Sequence, residues 1–135
     1  MFRTIDETLF VAGQITPEDV AEAARLGIRT IVNNRPDGEE PGQPTGAEIE
    51  AAARAAGLEY VAIPVDHAGL SMAQVEATRA ALAKPGPTLA YCRSGTRSTN
   101  LWAATRALDG GDKGEIAANA GNAGYDVRGL LASIG

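Results

Sequence analysis

Reactive chemistry in this chain gathers in one stretch, Tyr91 to Asn100, which reads YCRSGTRSTN and contains the only cysteine of 135 residues. A lone cysteine forms no internal disulfide, so Cys92 is either a small buried hydrophobe or a chemical group. Its surroundings favour the second. The apolar run TLAYC at 88–92 passes into RSGTRS and then into a helical pattern. That order curls consecutive backbone amides around a point at a helix N-terminus, where anions bind. Gly95 permits a tight turn, and Arg93 and Arg97 add fixed positive charge that can grip an oxyanion. Ser94, Thr96 and Ser98 complete the expected anion-binding set. Cys92 is the predicted nucleophile, because cations and amides around a sulfur stabilise the anionic form that attacks.

Two reactions use a cysteine so placed. In sulfur transfer, Cys92 attacks the outer sulfur of thiosulfate or of a low-molecular-weight persulfide, keeps it as a persulfide and passes it to an acceptor thiol. In phosphate ester hydrolysis, Cys92 attacks phosphorus, an arginine neutralises the equatorial oxygens, and an acid protonates the departing alkoxide. A third expectation is a non-catalytic anion-binding module.

Helices and strands must bring such groups together. Thr16 with Pro17, Glu18 and Asp19 marks a helix start, and Gly27 stops that helix after about 17–26. Thr45 and Glu48 have capping-box spacing before an alanine-rich segment that ends at Gly57, and Ser71 opens a helix to about Ala83. Apolar or β-branched runs at 9–12, 28–33, 58–65 and 88–92 read as strands. After Cys92 the pattern is helical: about 98–109, about 113–121 capped by Asp112, and a short helix after Asp126. Strands alternating with helices predict an α/β class, with a mostly parallel central sheet flanked by helices. In such sheets sites form beyond the carboxyl ends of the strands. Beyond those ends lie Arg35, a further candidate anion clamp after the second run, and Asp66, a candidate general acid after the third. His67, the only histidine, lacks a second ligand-type neighbour, so neither a metal site nor a cofactor is expected. The loop RPDGEEPGQPTG at 35–46 is long enough to cover a site.

The length predicts one domain over 1–135. A net charge of -5 argues against a nucleic-acid partner. No run approaches the roughly 18 to 20 apolar residues of a membrane span, and acids occupy MFRTIDETLFVAG where a signal peptide needs an apolar core. A cytoplasmic protein with a small anionic substrate is expected.

From VAGQITPEDVAEAARLGIRTIVNNRPDGEEPGQ through IPVD to YCRSGTRSTNLW, the chain resembles the phosphatase-like domain of beta-lactamase-hydrolase-like proteins. The resemblance covers nearly all of it and implies the fold of cysteine-dependent dual-specificity phosphatases. It also implies Cys92 as nucleophile, a loop arginine as phosphate ligand and Asp66 as acid. One departure bears on mechanism. The phosphatase signature has five residues between cysteine and arginine, whereas four separate Cys92 from Arg97, and Ser98 stands in the arginine's place. The string CRSGTRS looks instead like the active loop of rhodanese-type sulfurtransferases. On that spacing the sequence predicts sulfur transfer through a Cys92 persulfide, with phosphatase as the alternative.

Overall fold

In the computed structural model, which describes residues 2–134, a five-stranded sheet carries helices on both faces. The strands are β1 (Arg3–Thr4), β2 (Leu9–Ala12), β3 (Thr30–Asn33), β4 (Glu59–Ala62) and β5 (Thr88–Tyr91). The helices are α1 (Pro17–Arg25), α2 (Gly46–Ala55), α3 (Met72–Leu82), α4 (Thr96–Leu108), α5 (Lys113–Asn122) and α6 (Arg128–Ser133). Strand order is β1-β2-β5-β3-β4, with β1 antiparallel and all other pairs parallel. The expected α/β class with a mostly parallel sheet is the observed one.

Helix starts follow the predicted caps. The side chains of Thr16, Thr45 and Ser71 accept from the amides of Asp19, Glu48 and Gln74, and each of those side chains returns the bond to the cap amide. Such a cap contributes about 1 kcal/mol. Alternation along the strands divides the core. Leu9, Val11, Val32 and Ala90 face Val75, Leu101, Trp102 and Leu131 of α3, α4 and α6. Ala12, Ile31, Leu89 and Tyr91 face Val20, Ala23, Ile49 and Ala53 of α1 and α2. Period-two side chains on a sheet covered on both sides require apolar residues at every position, and β5 is buried throughout.

Register sets the site. Tyr91 pairs with both Ala12 and Asn33, and Asn33 pairs with Ala62, so four parallel strands end at one level. Their continuations, Gly13, Cys92, Asn34 and Ile63, emerge side by side. Asn34 stitches three of them: its amide donates to Tyr91 O at 2.8 Å, its side chain donates to Ile63 O at 2.8 Å, and its carbonyl accepts from Val65 N at 2.9 Å.

Four elements differ from the sequence expectation. β1 is a two-residue exposed strand with no apolar pattern to announce it. β3 occupies the last four residues of the 28–33 run and β4 residues 59–62 of the 58–65 run. α4 begins at Thr96 rather than 98, because Gly95 in the left-handed region (φ 91°) turns the chain directly into the helix. Among the described residues, no helix is long and apolar enough to cross a membrane.

Candidate active site

Cys92 leaves the central strand fully buried, and its sulfur accepts a hydrogen bond from the Gly95 amide at 3.1 Å. The first backbone bond of α4 runs from Thr99 N to Gly95 O, so the amides of Thr96, Arg97 and Ser98 carry no intrahelical acceptor. The free first-turn amides of Thr96, Arg97 and Ser98 thus lie at the helix N-terminus that follows the sulfur bound by the Gly95 amide, a setting that favours an anion. Ser94 Oγ donates to Thr96 Oγ1 at 3.1 Å across the turn. The loop is tied down from outside as well. Gln14 N donates to Arg93 O at 3.3 Å, an approach only glycine at position 13 allows, since a Cβ there would stand 2.9 Å from that carbonyl.

Arg97 folds back over this loop. Its Nη1 donates to Val65 O and to Glu39 Oε2, each at 2.7 Å, and its Nη2 donates to Glu39 Oε1 at 2.8 Å. The Glu39 carboxylate and, after it, the neighbouring Cys92 sulfur strengthen the hold of Arg97 on its proton. Arg35 is buried beside it and donates to Glu39 Oε1 at 2.9 Å, Gln14 Oε1 at 3.0 Å and Glu40 Oε1 at 2.9 Å. Arg93, largely exposed, places Nε 2.9 Å from the same Glu40 oxygen. Hydrogen bonds from Arg97, reinforced by Arg35, outweigh partial burial and hold Glu39 at a pKa of about 2.

Each residue expected from sequence has a definite place. Cys92, Arg93, Ser94, Gly95, Thr96 and Arg97 form the loop, and Arg35 reaches it through Glu39 and Glu40. Asp66 follows Val65, the residue whose carbonyl Arg97 holds; its Oδ1 accepts from Ala68 N at 2.8 Å in an exposed turn. Ser98 departs from expectation. Its hydroxyl is buried without a partner in a small cavity lined by Leu9, Val32, Thr78, Leu101 and Trp102, so only its backbone amide is available to the loop. Sequence reasoning missed Glu39 and Glu40, which lie in the predicted covering loop, and Gln14 and Tyr125. The doubled glutamate facing a doubled supply of arginines was the available signal.

Residues 1–109 match the family model described as beta-lactamase hydrolase-like protein, phosphatase-like domain. A beta-lactamase hydrolase-like protein of Xylella fastidiosa (strain Temecula1) is 40% identical over 125 residues, 91% of this chain. The chain spans only 29% of that relative's length. A solved candidate phosphatase of Neisseria meningitidis is 36% identical with a TM-score of 0.84, covering 96% of this chain and 93% of that one. Kinase associated phosphatase, at 15% identity and a TM-score of 0.70 over 96% of this chain and 83% of its own, shares the fold. The fold is that of cysteine-dependent phosphatases, and these likenesses lend no support to the sulfur transfer expected from spacing. Spacing counts residues, whereas α4 starts two residues earlier than expected and its second residue, Arg97, is turned by Glu39 and Val65 O over the cysteine loop. By sequence and by fold, the chain belongs to the phosphatase-like domain family of beta-lactamase-hydrolase-like proteins.

Proposed function

We propose that this domain hydrolyses phosphate monoesters through a phosphocysteine at Cys92. The thiolate attacks phosphorus in line as the bond to the leaving oxygen breaks, and Asp66 gives that oxygen its proton. Water then attacks the phosphocysteine, releases inorganic phosphate and restores the thiolate. The amides of Gly95, Thr96, Arg97 and Ser98, with the Arg97 guanidinium, bind the equatorial oxygens, where charge must be stabilised during transfer. Arg93 widens the positive field at the rim, and Arg35 anchors the loop that covers it.

The seat of Arg97 carries this reading. Its bond to Val65 O ties the loop arginine to the segment that bears Asp66, which supports pairing that acid with the anion site. Glu39 is excluded as the acid, because a carboxylate held ionised by two arginines has no proton to give near neutrality. Asp66 pairs with no lysine or arginine among the described residues and accepts only the Ala68 amide.

The test is release of inorganic phosphate from nitrophenyl and alkyl phosphates by the native domain and by Cys92→Ser, alongside intact-mass measurement after mixing with thiosulfate. Turnover abolished in a folded Cys92→Ser is the expected result. A persulfide on Cys92 with no ester turnover would restore the sulfur-transfer reading.

A further inference from the structure

An open groove of about 370 Å³ runs beside the cysteine loop, with Gln14, Arg35, Glu40, Gln43, Pro44 and Arg93 among its walls. On one wall a single carboxylate oxygen, Glu40 Oε1, lies 2.9 Å from Arg35 Nη2 and 2.9 Å from Arg93 Nε. The two arginines come from different segments, one following β3 and one inside the cysteine loop. The Arg35 side chain is only 4% exposed, and its other two nitrogens, Nε and Nη1, are engaged by Glu39 and Gln14. Its Nη2 therefore points at one place, and that place recognises an anionic oxygen. A buried guanidinium keeps an anion against it, since leaving it unpaired is costly.

Glu40 is a replaceable occupant. Its side chain is 45% exposed, and exposed ion pairs are worth little. Its backbone is held, with Glu40 N donating to Gln43 Oε1 and Glu40 O accepting from Gln43 N, each at 3.3 Å, so the carboxylate leaves by rotation of the side chain alone. Glu39 behaves differently, being pinned by Arg97 and Arg35 together. With Glu40 seated, three arginines and two glutamates sum to +1; with Glu40 swung out the same groups sum to +2. That released unit of positive charge is available to a second anionic group on a ligand.

We propose that Arg35 and Arg93 form a second anion subsite, filled by Glu40 at rest, which takes a further phosphate or carboxylate of the substrate. The substrates it selects are then phosphate monoesters bearing another anionic group, and the word substrate here rests on the phosphatase reading. Binding to the subsite is independent of turnover and is measured separately.

The experiment uses folded Cys92→Ser protein and calorimetry with alkanediyl bisphosphates of graded length, phosphoryloxy-carboxylates of the same lengths, and alkyl monophosphates. At one length the bisphosphate is expected to bind about tenfold or more tighter than its monophosphate. A carboxylate arm matching it identifies a general anion site, and a bisphosphate-only preference identifies a phosphate site. Glu40→Gln should widen the preference several-fold, and Arg93→Ala should bring the ratio to about one. Ratios within about twofold at every length, in both the parent and Glu40→Gln, overturn the subsite. Phosphate release by the native domain separates the two ideas: release without preference overturns the subsite alone, and preference without release overturns the phosphatase reading alone. Failure of every probe to bind overturns both.

Discussion

The hydroxyl of Tyr125 donates to the backbone carbonyl of Ser94 at 3.0 Å, joining the turn before α6 to the cysteine loop. The same hydroxyl stands 2.1 Å from where a Cβ on residue 95 would lie, so Gly95 and Tyr125 fit only as glycine and ring. Tyr125→Phe is expected to cost about 0.5–1.5 kcal/mol of stability, the range for one hydrogen bond. It should lower kcat more than it raises KM, because the loop loses a restraint on its shape rather than a ligand to the anion. Denaturant unfolding with steady-state kinetics checks both; an unchanged kcat would show that the loop holds its form without the tyrosine.

Glu39 is the hinge of the arginine cluster, and its folded pKa of about 2 lies below the ordinary 4.5. A carboxylate with a depressed folded pKa contributes stability that is complete above its unfolded value and is lost as pH falls toward the folded one. The contribution should disappear between about pH 4.5 and pH 2. Thermal midpoints of the native domain and of Glu39→Gln should therefore converge across that interval and stay apart above it. Parallel curves at all pH values would mean that the charge of Glu39 is not what holds Arg97.

On the phosphatase reading, Asp66 protonates a leaving group that needs a proton. Asp66→Asn is expected to slow alkyl phosphate hydrolysis by a factor on the order of 10² or more, with a smaller effect on nitrophenyl phosphate. Equal losses on the two substrates would assign Asp66 to holding its loop through the Ala68 amide instead.

Ser98 offers a test of which of its groups is used. Its hydroxyl is buried with no partner, while its amide sits in the first turn of α4. Removing an unpaired buried hydroxyl relieves a desolvation cost of about 1–3 kcal/mol, offset in part by lost packing. Ser98→Ala should unfold at equal or higher denaturant concentration and retain the native kcat. A large fall in kcat would show that the hydroxyl turns into the loop during the reaction.

Much of the frame was legible because its signals are local. Thr16, Thr45 and Ser71 cap helices through residues three positions away, and a reader of the chain sees both partners at once. The cysteine loop was legible for the same reason, since Cys92, Gly95 and Arg97 are consecutive enough to be shaped by one turn. The alternation of strands with helices along the chain likewise declared a sheet covered on both faces. Tertiary structure decided what those residues meet. Glu39 reaches Arg97 across 58 positions, Tyr125 reaches Ser94 across 31, and Gly13 admits the Arg93 carbonyl, none of which leaves a pattern at short spacing. The loop arginine shows the same distinction. Residue count between Cys92 and Arg97 is a property of the chain, but the direction of the guanidinium is set by Val65 and Glu39, which only the register of four parallel strands brings to it.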